Sequence, residues 1–300
     1  MRRILAYIFL LTSSIFHLFA YDVELDGVYY NLIGTSMAYV THGGSVDFEP
    51  AGYSGNVVVP AQITHKGRTY KVFTVGPNAF ACCEELISVQ LPPTVRGLGY
   101  CAFLGCINLQ HVSMPEDIRT FNASAFTGCT SLQEIFLPRK MERIDTLTLY
   151  CCASLTSLVL PHRVRTVCRG ALEHLPAMTH LYCFASVPPV AERGSFTYAD
   201  QQKCTLHVPA DAIPLYRESP VWSDFCQFVP LADEEYEKHG YQRGDLNDDG
   251  KVDAEDLALL RRIIVSLPDD SAVRWAADIN GDGKVNAADY VLLAKSLPLK

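Results

Sequence analysis

The sequence predicts a chain in two parts: a β-rich solenoid built on a 23-residue repeat, then a small α-helical module with two oxygen-rich loops. Two internal alignments predict it. Apolar residues recur every 23 positions between Phe80 and Leu181, and two twelve-residue acidic segments match each other at a shift of 33. The composition agrees. Of the 300 residues 49% are hydrophobic and 19% charged, enough apolar matter for a packed core and too much for a disordered chain. The net charge of −8 offers no basic face to nucleic acid.

The chain opens on Met1-Arg2-Arg3, an apolar run from Ile4 to Leu11, and polar interruptions at Ser13, Ser14 and His17 before Ala20. This layout predicts a secretory signal peptide over 1–20, with cleavage after Ala20. No later stretch is long and apolar enough to span a bilayer, so no transmembrane segment is expected after cleavage. The first cysteine is Cys82, so none stands at the cleavage point to carry a lipid.

The repeat dictates the main fold. Phe80, Phe103 and Phe126 form one row, continued by Leu149 and Leu172. Leu86, Leu109, Leu132 and Leu155 form a second, and Val89, Val112, Ile135, Leu158 and Leu181 a third. Pro92, Pro115, Pro138 and Pro161 mark the same period. A fixed repeat of this length means stacked coils, because one coil cannot bury its apolar side alone. Leu86, Val89 and Leu91 alternate with Ser88 and Gln90, which predicts a short strand in each coil. Cys83, Cys106, Cys129 and Cys152 form a further row. It lacks the close pairs of a zinc site, and the total of 11 cysteines is odd. Buried, reduced thiols are the expectation, although adjacent coils would bring sulfurs near enough to oxidise.

Leu132-x-x-Ile135-x-Leu137-Pro138, preceded by Ala125-Phe126-x-Gly128-Cys129-x-Ser131, resembles the BspA-type leucine-rich repeat of bacterial surface proteins. The resemblance covers 76–183 and implies a leucine-rich-repeat solenoid. It also implies a β-rich N-terminal cap over 21–75 and a C-terminal cap over 184–232, the latter holding Tyr216 and Trp222. Relatives use the outward strand rows to bind proteins or other surface ligands. Here those rows contain His111, Glu134, Phe136, Val159, His180 and Tyr182, a possible face for a protein or glycan. A solvated sheet without a ligand is the plainer reading of the same rows.

Residues 233–243 are polar and read as a linker; the second part follows over 244–300. Calcium takes six to eight oxygens from a chain folded tightly around it. Asp245, Asn247, Asp249 and Asp278, Asn280, Asp282 supply side-chain oxygens at positions 1, 3 and 5 of two loops. Gly250 and Gly283 permit the sharp turn at position 6. Lys251 and Lys284 offer backbone carbonyls, Asp253 and Asn286 oxygens at position 9, and Asp256 and Asp289 carboxylates at position 12. Two loops with every such position filled predict two Ca2+ ions. No good helix can enter the first loop between Gly240 and Gly244, and exiting helices are expected over 257–266 and 290–296.

A duplicated loop with an exiting helix and Asp at position 12 resembles the type I dockerin module. The resemblance implies calcium-dependent docking to a cohesin-like protein domain. It carries partner contacts to Ala254, Glu255, Arg261 and Arg262 in one half and to Ala287, Ala288, Ala294 and Lys295 in the other. Cellulosomal dockerins often place a hydroxyl pair at positions 10 and 11, which this chain lacks. The two halves also differ, so one binding orientation should dominate. Leu257, Leu260, Ile263 and Ile264 read as the module's own core.

Signal, caps, repeats, linker and module account for the whole chain and leave no host for a catalytic centre. No Gly-x-Ser-x-Gly or His-Glu-x-x-His occurs, and Glu134 has no second carboxylate in its row. The expectation is a non-catalytic binding protein, secreted or on the surface of a bacterium. Two alternatives stay open: an accessory or catalytic, glycoside-hydrolase-associated component of extracellular polysaccharide degradation, and an adhesin whose calcium-stabilised tail has no cohesin partner.

Overall fold

The computed structural model describes residues 21–44 and 52–297. The expected signal peptide, 1–20, lies outside the described residues, as do 298–300 at the end of the last module.

The chain starts with hairpins. Asp26 and Gly27 both take positive φ (52° and 76°), which turns Val23–Leu25 onto Val28–Ile33 in two residues. Lys66 and Gly67 do the same between Gln62–His65 and Arg68–Val75. Arg68–Val75 also pairs in parallel with Met37–Thr41 and, at Val75, with Gly97–Leu98. The N-terminal sheet thereby runs directly into the first ladder of the repeats.

The repeats stack in register. Ser88 pairs with His111, Gly97 with Thr120, Arg143 with Thr166 and Ser157 with His180, each across the 23-residue period read from the sequence. Inside, Phe80, Phe103 and Phe126 stack at centroid distances of 4.9 and 5.0 Å with nearly parallel rings. The cysteine row is buried beside them. The thiols of Cys106, Cys129 and Cys152 donate to the carbonyls of Phe80, Phe103 and Phe126, each one coil back, at 3.0, 3.1 and 3.3 Å. Each of these carbonyls also accepts the N–H of the residue three positions on, so the thiol is a second donor to a buried acceptor.

The expected strand lapses in one coil. Leu132, Ile135 and Leu137 are buried as the pattern demands, but 133–137 joins neither neighbouring ladder. That coil is held instead on its turn side, where Phe126 N–H donates to the Thr148 carbonyl and Gly128 N–H to that of Tyr150.

Beyond Cys183 two less regular coils add Thr205–Val208 and Gln227–Pro230 to the parallel sheet. Helices α1 (Tyr198–Lys203) and α2 (Ile213–Glu218) lie in these coils. Tyr216 donates to the Ala185 carbonyl at 2.9 Å and the Trp222 indole to that of Pro189 at 2.7 Å. Both rings are fully buried over the end of the apolar stack.

The segment read as a polar linker is different in the structure. Asp233–Lys238 is a helix, α3, and Tyr236 and Tyr241 are buried. Phe184 packs on both rings, at 5.0 and 4.7 Å, and Trp275 stacks on Tyr236 at 4.9 Å. Two tyrosines in a charged run look solvated locally; only long-range packing decides that they are not. Three more helices follow: α4 (Ala254–Val265), α5 (Ser271–Ala277) and α6 (Ala287–Ser296). The exiting helices α4 and α6 each begin three residues earlier than expected, inside the loops. Helix α5 was not foreseen, and it enters the second loop. Leu246, Leu260, Trp275 and Leu293 join Tyr182 and Phe184 of the repeat region in one core.

Candidate functional site

The two acidic loops fold through the same hydrogen bonds. In the first, Asp245 accepts from Asp249 N–H at 3.1 Å and Gly250 N–H at 3.0 Å. In the second, Asp278 accepts from Asp282 at 3.1 Å and Gly283 at 2.9 Å. Asn247 and Asn280 each accept from the residue two further on, as do Asp249 and Asp282. Gly250 and Gly283 take φ of 82° and 79°, the left-handed turn that glycine makes without strain. The position-12 carboxylates are fully buried. Asp256 accepts the N–H groups of Leu246, Asn247 and Asp253, and Asp289 those of Ile279, Asn280 and Asn286. Asp253 and Asn286 cap α4 and α6.

Backbone N–H groups thus hold the side-chain oxygens at positions 1, 3 and 5 and the buried carboxylate at position 12 of each loop. Among the described residues no three His, Cys, Asp or Glu side chains close to a ready-made metal cluster. The side chains at the candidate positions are carboxylates with one asparagine in the first loop, Asn247, and two in the second, Asn280 and Asn286, so the donors on offer are all oxygen. Such donors fit a hard dication such as calcium and suit zinc poorly. Burial pushes the Asp245 carboxyl up, against the pull of the Gly250 and Asp249 N–H groups.

An arginine faces the position-1 carboxylate of each loop. In the second it is Arg243, 3.6 Å from Asp278 and also bonded to the Asp278 and Trp275 carbonyls and to Asp233. In the first it is Arg139, 3.8 Å from Asp245, and it comes from the repeat region. Sequence reasoning missed both arginines and also Asp248, which Arg139 meets at 3.0 Å. One signal was available: position 4 holds Asp248 in one loop and Gly281 in the other.

The residues matched to partner contacts are open to solvent, all but one of them fully. Ala254, Glu255, Arg261, Arg262, Ala287, Ala288 and Lys295 are exposed, and Ala294 is half-buried. Val265 is 86% exposed, and Val291 and Leu292 lie open on α6. The outward strand rows fare unevenly. His111, Glu134 and His180 are exposed, and Phe136 is 66% exposed. Tyr182 is 8% exposed, covered by His239 at 4.8 Å and by the Lys238 ammonium over its ring. Val159 packs on the same C-terminal core. The chain's own tail therefore occupies part of the face considered for a ligand. His180 and His207 meet at 3.0 Å beside it. No helix among the described residues is long and apolar enough to cross a membrane.

A model of the BspA type leucine-rich repeat region matches residues 66–188 in six copies, and a dockerin type I domain model matches 243–298. Among solved structures, the chain is similar to a T. pallidum leucine-rich repeat protein at 29% identity and a TM-score of 0.46, covering 54% of this chain and 71% of that one. It is similar to a leucine-rich cell surface protein of Faecalibacterium prausnitzii A2-165 at 22% identity and a TM-score of 0.44, covering 62% of this chain and 50% of that one. A leucine-rich repeat protein of Bacteroides ovatus matches at 18% identity and a TM-score of 0.36, over 70% of this chain and 77% of that one. No curated protein matches.

Proposed function

We propose that this chain, which carries a BspA-type leucine-rich repeat region and a dockerin type I domain, is an exported, non-catalytic binding protein. In this reading the repeats form a solenoid that presents a recognition surface outside a bacterial cell. The dockerin binds two calcium ions and plugs the chain into a cohesin-like partner. Both matched modules are binding modules by type. One observation carries the reading: the two loops repeat one hydrogen-bond network, and each leads into a helix, α4 or α6, that keeps exposed residues. That leaves Arg261, Arg262, Val265, Val291 and Lys295 on a surface with apolar and basic character for a partner to bury.

A pull-down from the native surface or secretome in calcium tests it, with Asp245→Ala/Asp278→Ala as control. Capture of a cohesin-like protein by the wild type in calcium, lost in chelator and in the double variant, supports the reading. Capture that ignores calcium overturns the docking role. Hydrolysis of any member of a glycan panel by the purified chain overturns the non-catalytic role.

A further inference from the structure

The two loops share every hydrogen bond described above and differ at position 4, where Asp248 faces Gly281 across the repeat. That position supplies no ligand to the ion. Asp248 nevertheless takes a left-handed φ of 61°, which glycine would take more easily, and its side chain is only 8% exposed. A carboxylate placed so needs compensation for lost water. It comes from the repeat region. Arg139 donates to Asp248 Oδ1 at 3.0 Å, and Arg163 Nε stands 3.9 Å from Oδ2, an oxygen with no hydrogen bond. Both arginines also reach the backbone of the tail: Arg139 donates to the Gly240 carbonyl, and Arg163 to that of Asn247 at 3.4 Å.

Arg139 has a second neighbour, Asp245 Oδ2 at 3.8 Å, which belongs to the first ligand position. A guanidinium and a dication drawn to one carboxylate repel each other. We infer that Asp248 is a docking residue, that it holds the first loop on the repeat region through Arg139 and Arg163, and that this docking opposes calcium at the first loop while leaving the second untouched. The second loop differs because Arg243 belongs to the dockerin and moves with it. Linkage makes the effect reciprocal: calcium at the first loop loosens the dockerin from the repeats by the factor that docking takes from its affinity. The inference rests on the proposed reading that both loops take calcium.

Calorimetric calcium titration of the full chain tests it, with Asp278→Ala isolating the first loop and Asp245→Ala the second. Arg139→Gln is expected to tighten the first loop about tenfold, within the usual range of coupling between sites, and to leave the second unchanged. Arg163→Gln touches no ligand side chain and should act in the same direction more weakly. In the wild type, calcium should speed amide exchange at His162, whose N–H is held across the interface by Tyr241. A first loop whose affinity is unchanged or weakened by both substitutions overturns the inference, and calcium filling the second loop shows that the calcium reading stands without it. Failure of both wild-type loops to bind calcium removes both.

Discussion

The Tyr241 hydroxyl accepts the backbone N–H of His162 at 3.2 Å, across 79 positions of sequence. The bond joins the segment before the first acidic loop to a coil of the repeats, and both residues are buried. Tyr241→Phe keeps the ring on Phe184 and leaves that N–H without its acceptor. A buried orphan donor costs about 1–3 kcal/mol. Chemical denaturation should show a loss of that size. A Phe variant as stable as the wild type would mean that the interface is wet or open in solution.

The same contact makes stability depend on pH. Burial lowers the His162 pKa from its ordinary 6.5, against the opposite pull of Asp270 and Asp248 and with the help of Arg163 and Arg165. The unfolded chain therefore binds a proton that the folded chain refuses. Stability is full above 6.5 and falls as pH drops from there toward the lowered folded value. Burial also lowers His207 and His239, with the same sign. Denaturation in chelator on either side of 6.5 should show this slope, and His162→Gln should flatten it. An unchanged slope in that variant would assign the effect elsewhere.

Phe103 lies between Phe80 and Phe126 in the ring stack and is fully buried. Phe103→Ala removes two stacking contacts and leaves a cavity that adjacent coils cannot fill without breaking their ladders. The expected cost is about 3–5 kcal/mol, read as a lower denaturation midpoint. Calcium titration at the second loop should be unaffected, because Phe103 belongs to the core of the repeats and the second loop packs on the separate C-terminal core.

Thiol labelling should separate the buried row from the surface. Burial raises the Cys129 and Cys152 thiols, and their carbonyl bonds hold them inside. Cys226 is exposed. Peptide mass spectrometry after alkylation of the native chain should find Cys226 modified and Cys106, Cys129 and Cys152 protected. In denaturant all four should react. Rapid native labelling of Cys129 would show that the coils open.

Periodicity alone carried most of the fold. A row such as Phe80, Phe103 and Phe126 needs nothing but its spacing to say that equivalent atoms lie one above another, because stacking is a local rule applied repeatedly. The loops were legible for the same reason: Asp245 to Asp256 is one continuous stretch, and its turns follow from Asp, Asn and Gly at fixed offsets. What no local rule contains is the meeting of the two parts. Tyr236 and Tyr241 sit in a charged run, Tyr182 in an outward strand row, and Arg139 after a repeat proline. Each looks like surface until the tail folds back and removes its water. Spacing determined the parts of this protein, and tertiary packing alone decided which carboxylate and which arginines hold them together, since burial and charge pairing between distant segments depend on three-dimensional distance and leave no periodic trace.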